Sequence, residues 1–207
     1  MELLIDLHYL PNTQYFTLLA NAHKVIFEKH ENFVKQTYRN RTHILTPNGI
    51  DALSIPLLGS QKKVLVSQIK IDYSQKWVNQ HWRAIQSAYG KSPFFVHYSE
   101  LFKNALYAKH ETLFELNYQL LTLCLKLLQI ETSITFSEEY QKTPQTPVID
   151  LRSAIHPKEI FSFFPNLTFT PYQQVFGKGF VEGLSILDLL FSEGSNSGSI
   201  IRGQIKN

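Results

Sequence analysis

Cysteine is almost missing from this chain: Cys124 stands alone among 207 residues. A single thiol excludes a disulfide framework and a cysteine-based zinc site within one chain. Cys124 lies inside the apolar run 120–128, so it reads as a buried, inert thiol rather than a nucleophile. Excess charge is also scarce. The net charge is +3 and only 18% of residues are charged. This is far from the concentrated basic character of a nucleic-acid binder, and the mild excess favours a small anionic ligand. No apolar segment is long and unbroken enough to span a bilayer. The start, Met1-Glu2-Leu3-Leu4-Ile5-Asp6, lacks the basic and apolar regions of a secretory leader. The expectation is a cytoplasmic protein with no membrane span and no nucleic-acid partner. Glycine-rich signatures are missing too: there is no Gly-x-Gly-x-x-Gly, no P-loop and no Gly-x-Ser-x-Gly. His23, His30 and His43 have no metal-ligand spacing, so no metal site is expected, and the sequence names neither a cofactor nor an oligomeric state.

Aromatic residues are plentiful, with 15 Phe and 10 Tyr; they suit a core and a ligand pocket equally. Residues 3–9 read as a first strand ending at Pro11. Asn12-Thr13 can cap a helix over 14–22, and the continuous Val25, Ile26 and Phe27 give a buried second strand. That start predicts two parallel strands joined by a helical crossover. A hairpin is expected with arms 38–45 and 50–57 across Thr46-Pro47-Asn48-Gly49, because Asn-Gly is the strongest short hairpin signal. Further expectations are a strand over 64–71, a helix over 72–90 capped by Ser74, an extended stretch at 93–97, helices over 100–108 and 111–129, and a strand at 134–137. A polar linker follows at 141–150, then an apolar helix over 184–191 stopped by Gly194. The fold class is α/β (or α+β): a mixed sheet with an Asn-Gly hairpin, packed by three or more helices. The chain divides into a core domain at 1–140, a segment at 141–195 completing the same domain, and a flexible tail at 196–207.

The stretch richest in chemistry is Tyr38-Arg39-Asn40-Arg41. Arginine presents a planar fork to carboxylate or phosphate, and asparagine both donates and accepts. Strand alternation puts Arg39, Arg41 and His43 on one face and Asn40 on the other. Asn40 is therefore expected to hold the hairpin's geometry, unless a bulge turns it round. A solvated, charged hairpin edge that blocks aggregation accounts for the same residues. His8 ends the first strand, where α/β proteins place ligand-binding residues, and imidazole is suited to general-base work; a structural histidine bonded to the turn is the alternative. Asp188 follows Ser185 at capping-box spacing in the last helix, and Arg39 or Arg41 is its expected partner. His81 falls on an apolar helical stripe with Trp77 and Ile85 and reads as a core group.

Taken in order, these pieces resemble one family. A histidine-bearing strand runs into Tyr9-Leu10-Pro11 and a Tyr-Phe helix. Tyr38-Arg39-Asn40-Arg41 precedes an apolar strand, and Ile55-Pro56-Leu57 follows. A Trp/His helix runs into Tyr89-Gly90-Lys91-Ser92-Pro93-Phe94-Phe95, and Leu184-Ser185-Ile186-Leu187-Asp188 opens the last helix. Together they resemble the WbqC-like family of bacterial proteins over nearly the whole chain. The resemblance implies a transferase-type role in surface polysaccharide (O-antigen type) synthesis, with His8, Arg39, Asn40, Arg41 and Asp188 as site residues. Under it, His8 is the general base and the arginines hold an anionic or activated sugar or acyl substrate. A non-catalytic ligand-binding or assembly protein using the same basic-aromatic cleft is the alternative. Two departures stand out. The first turn lacks the family's usual Gln-Pro or aromatic-Pro pair, and the tyrosine segment of longer relatives is reduced here to 150–164. If that segment helps form the site, the ligand differs or the activity is reduced.

Overall fold

The computed structural model describes residues 1–59, 63–145, 147–158, 170–177 and 179–203. Strand β1 (Glu2–Ile5) leads through helix α1 (Thr13–Ala20) to β2 (Lys24–Phe27). Asn12 caps α1, its side-chain oxygen accepting the Tyr15 N–H at 3.0 Å. The hairpin strands β3 (Arg41–Thr46) and β4 (Gly49–Ser54) come next, then the short pair β5 (Leu57–Leu58) and β6 (Lys70–Ile71). Helices α2 (Trp77–Tyr89), α3 (Phe95–Tyr107) and α4 (Leu113–Leu128) precede β7 (Ser133–Phe136) and β8 (Val148–Asp150). Helix α5 (Ile186–Glu193), a 3-10 turn (Gly194–Asn196) and α6 (Ser197–Arg202) end the described chain.

The parallel sheet has order β7-β2-β1-β8. β1 pairs with β2 from Glu2↔Lys24 to Ile5↔Phe27, and with β8 from Glu2↔Val148 to Leu4↔Asp150. The expected parallel pair with its helical crossover is present. Alternation sends Leu3, Ile5, Val25 and Phe27 into the core, where they meet the apolar faces of the helices. The antiparallel strands lie in two separate two-stranded sheets beside the parallel one. The hairpin turns at Pro47-Asn48, with Thr46 opposite Gly49. Gly49 has φ +106°, a conformation that side-chain-bearing residues rarely adopt. Helix α4 carries a complete capping box: Thr112 Oγ1 accepts the Glu115 N–H, and Glu115 Oε2 accepts the Thr112 N–H.

Several elements differ from the sequence expectation. The strand expected at 64–71 is confined to Lys70–Ile71. Before it, the Gln68 and Ile69 N–H groups both donate to Leu65 O in a helical turn that buries Val66 and Ile69. Their i, i+3 spacing puts both on one side of a helical turn, whereas strand alternation would set them on opposite faces. Ser74 does not cap α2; its N–H and hydroxyl both donate to Asp72 Oδ1, and the helix begins three residues later. The stretch at 93–97 enters α3. The linker at 141–150 contains β8, because Val148 and Ile149 supply a β-branched pair that completes the open side of β1. Residues 197–202, expected in the tail, form α6 with Ile201 buried against α1 and α4; residues 204–207 lie outside the described residues. No described helix is long and apolar enough to cross a membrane.

Candidate functional site

The connections from β1 to β2 and from β2 to β7 run to one side of β1, and β8 returns on the other. The direction of winding therefore reverses between β1 and β8. In open parallel sheets, ligands bind beyond the carboxyl ends of the strands at such a reversal. Asp6 and His8 follow β1 at this point, and Arg152 and Ser153 follow β8.

His8 and Asp6 are both about 1% exposed. His8 Nε2 lies 2.8 Å from Asp6 Oδ2. The other ring nitrogen, Nδ1, is buried and has no partner among the described residues. The His8 ring packs between Tyr15, with centroids 4.8 Å apart, and Tyr38, at 5.7 Å. Asp6 also accepts the Ser153 N–H on Oδ1 at 2.8 Å. Arg39 is fully buried. Its NH1 lies 3.1 Å from Asp6 Oδ2, an ion-pair distance without hydrogen-bond alignment. Its Nε and NH2 donate to Glu31 Oε1 at 2.8 and 2.6 Å, and NH2 donates to Ser153 Oγ at 3.0 Å. Asn117 of α4 fixes the backbone at this point, its Nδ2 donating to Arg39 O at 2.7 Å.

One guanidinium thus serves two carboxylates, which end in different states. Burial pushes Asp6 upward, but Arg39, His8 and the Ser153 N–H together hold it well below the usual carboxylate range. Glu31 is raised: burial is the largest cause, and the neighbouring Asp6 and Glu28 add to it against the pull of Arg39. Burial works against the cation of Arg39, and Asp6 and Glu31 outweigh it. Asp6 is therefore the ionised partner of His8, and Glu31 is the acid closer to taking a proton.

Backbone strain gathers here. Among the described non-glycine residues with positive φ, Leu10 (+44°) follows His8, Gln36 (+59°) precedes Arg39, and Ser153 (+58°) bonds to both Asp6 and Arg39. Such conformations cost about 1–3 kcal/mol each and persist where the surroundings over-determine them, often at functional sites. Ser153 is the exposed member of the network. One strand over, Glu28 accepts from Ser137 Oγ at 2.8 Å and from Arg152 NH1 at 3.0 Å. Glu28 and Ser137 border a cavity of about 670 Å³ on the sheet face, floored by Leu4, Ile26, Phe136 and Val148. That cavity neighbours the His8 network without containing it.

Of the five expected site residues, His8 and Arg39 come together, and Asp6 joins them. The other three lie apart. Asn40 holds the base of the hairpin: its Nδ2 donates to Ile55 O at 2.9 Å, and its own carbonyl accepts the Ile55 N–H at 2.8 Å. Arg41 opens β3 on the outer face, its Nε donating to Ser54 Oγ at 3.1 Å. The shared face expected for Arg39 and Arg41 is absent because the regular strand starts only at Arg41, which leaves Arg39 free to turn inward. The expected Asp188–arginine pairing is absent too. Asp188 lies in the first turn of α5, where the helix dipole favours an acid, and accepts from Tyr172 Oη at 2.7 Å and Gln174 Nε2 at 2.9 Å. The capping box with Ser185 does not form: Ser185 Oγ accepts the Leu187 N–H, the Asp188 N–H donates to the Ser185 carbonyl, and the Ser185 N–H donates to His43 O. Sequence reasoning missed Asp6, Glu31, Ser153 and Asn117. Asp6 had a signal, two residues before His8 at the end of the same strand; the others are joined to the site by tertiary contacts alone. Among the described residues, no group of three or more His, Cys, Asp or Glu could hold a metal ion.

The family model of the WbqC-like protein family matches residues 7–164. The chain is also similar to the uncharacterized protein Rv1507c of Mycobacterium tuberculosis, at 25% identity over 96% of each chain. No solved structure gives a significant match.

Proposed function

The chain belongs to the WbqC-like protein family, and from that premise we propose that it is a group transferase using Asp6 and His8 as an acid–base dyad. The observation that carries this reading is His8 itself: Nε2 is held at 2.8 Å by an ionised, buried Asp6, and Nδ1 is buried without a partner among the described residues. A carboxylate that holds one ring nitrogen fixes the tautomer and leaves the opposite nitrogen's lone pair for a substrate proton. In the step, His8 Nδ1 takes the proton of an acceptor hydroxyl or amine. The freed oxygen or nitrogen forms a bond to the sugar or acyl carbon of an activated donor, whose bond to its leaving group breaks. The proton then passes from Nδ1 to the departing group. Arg39 acts on the dyad by keeping Asp6 ionised. Its nitrogens are committed to Asp6, Glu31 and Ser153, so substrate phosphate is not its ligand. The setting we propose is surface polysaccharide synthesis of the O-antigen type, in the cytoplasm, with an anionic or activated sugar or acyl substrate.

A thermal-shift screen of nucleotide sugars, acyl carriers and amino acids identifies the ligand, because a compound that binds only the folded chain raises its melting temperature. With that ligand, His8→Asn is expected to abolish turnover and leave affinity nearly intact. Turnover at the wild-type rate in His8→Asn sinks the dyad. The burial of Asp6 and His8 favours a second reading, a ligand-binding or assembly protein without chemistry. Under that reading, wild type converts no compound that it binds.

A further inference from the structure

With Arg39 consumed inside the network, the motif's other arginine is Arg41, and its surroundings form a donor set. Arg41 and His43 alternate onto the outer face of β3, about 6–7 Å apart along the strand. Ser54 lies directly opposite Arg41 on β4. The Arg41 Nε donates to Ser54 Oγ, which fixes the guanidinium, and its η nitrogens make no hydrogen bond among the described residues. The accepting Ser54 hydroxyl keeps its own proton to donate elsewhere. Tyr38 lies behind this face. Its ring meets His43 edge-on at 5.4 Å, with its hydroxyl 3.4 Å from His43 Nδ1. When that hydroxyl donates to Nδ1, the ring proton of neutral His43 sits on Nε2 and makes it a donor. The Tyr38 ring also lies 5.7 Å from the His8 ring. These two contacts place His43 within about 11 Å of the His8 ring.

We infer that Arg41, His43 and Ser54 form a phosphoryl-binding subsite, which holds the phosphate or diphosphate of the activated donor while its reacting carbon reaches His8. The inference deepens the transferase reading and rests on it. The donors come from three side chains on two strands. That arrangement suits the tetrahedral oxygens of a phosphoryl group better than a flat carboxylate, which one arginine fork would satisfy alone. His43 is held neutral, by burial first and by Arg41 second, so it adds a donor without repelling the guanidinium. The two histidine rings are at most about 11 Å apart, so a ligand seated on the outer face lies close to His8.

The test uses inorganic pyrophosphate as the probe and malonate as the planar control. Affinity is measured by calorimetry, and the His43 ring by nitrogen-15 NMR. Pyrophosphate is expected to bind wild type more tightly than malonate and to shift the His43 Nε2 resonance. Arg41→Gln should lose about tenfold or more in pyrophosphate affinity, the loss of a charge-assisted pair. His43→Phe and Ser54→Ala should each lose severalfold. Arg41 and Ser54 line the outer face, so the melting temperature should hold in Arg41→Gln and Ser54→Ala, and a misfolded variant would be visible at once. His8→Asn should bind pyrophosphate within twofold of wild type, which separates the subsite from the dyad. Equal binding by wild type and Arg41→Gln, malonate binding as tight as pyrophosphate, or an unmoved His43 resonance at saturation overturns the subsite. None of these outcomes touches the dyad, whose test is turnover in His8→Asn.

Discussion

Replacing Arg39 by methionine keeps most of the side-chain volume and removes the one cation between Asp6 and Glu31. Breaking a buried ion pair by deleting one partner costs about 3–5 kcal/mol, because the remaining charge stays out of water. Here the two acids lose their partner together, and two details set the size. Asp6 keeps the Ser153 N–H and His8 Nε2 as donors, and Glu31 is near enough to solvent to recover part of its hydration. These reliefs put the expected loss at about 3–4 kcal/mol at pH 7.5, on that scale. For a chain of this size it corresponds to a fall of roughly 10 °C in melting temperature. The loss should also depend on pH. In wild type the folded pKa of Asp6 is depressed, so its contribution is complete above the unfolded carboxylate range and lost as pH falls below it. Without Arg39, burial raises both carboxylates in the folded state. The variant then gains protons on folding and becomes relatively more stable as pH drops. Urea melts of both proteins at pH 7.5 and pH 5 should show the deficit shrinking at the lower pH. Adding Glu31→Gln to Arg39→Met should recover part of it, a coupling that a double-mutant cycle measures. A deficit below about 1 kcal/mol, or one that does not change with pH, would refute the reasoning.

Other expectations come from neighbouring groups. His81 is buried against Tyr9, whose hydroxyl lies 3.0 Å from its Nδ1, and burial lowers its pKa to about 4. The folded chain resists protonation that the unfolded chain accepts, so stability should fall by roughly 3 kcal/mol as pH drops from 6.5 to 4; in His81→Asn the acid slope of the urea midpoint should be shallower by that amount. Asn117→Leu leaves Arg39 O without its donor and should cost about 1–3 kcal/mol in a denaturant melt. Asp188 is raised by burial and accepts from two neutral donors, so Asp188→Asn should stay within about 1 kcal/mol of wild type, with Asp188→Leu well below it. Arg41→Ala and Asp188→Ala should be additive within about 0.5 kcal/mol, since no contact joins them.

What the residues announce in advance is mostly local. The first parallel pair, the Asn-Gly hairpin and α4 all carry their own signals: a cap, a turn dipeptide, an apolar stripe. Strand β8 carried almost none. Three residues behind two prolines read as linker, and only the vacant side of β1 makes them a strand. The site divides in the same way. His8 was legible because strand ends in α/β sheets hold ligand groups, and Asn40 was legible as a hairpin fastener. Arg39 stands out in the sequence, but its partners do not. Alternation puts Arg39 on one face with Arg41 only if the strand is extended two residues before it begins, and the guanidinium turns inward to Asp6. Glu31 and Ser153 are separated from Arg39 by loops of ordinary composition, and no periodicity relates them.

The pairing of β1 with β8 also sets an order in time. β1 leaves the ribosome nearly 150 residues ahead of β8 and Ser153. Contacts this distant in sequence form late in folding. Until they form, one edge of β1 is an open template for another strand, and Asp6 lacks the backbone donor that helps keep it ionised. A growing chain therefore builds its hairpin and its histidine early but lacks the complete Asp6–Arg39–Ser153 network until β8 docks. A nascent chain stopped before residue 147 would carry Asp6, His8 and Arg39 without the turn that joins them.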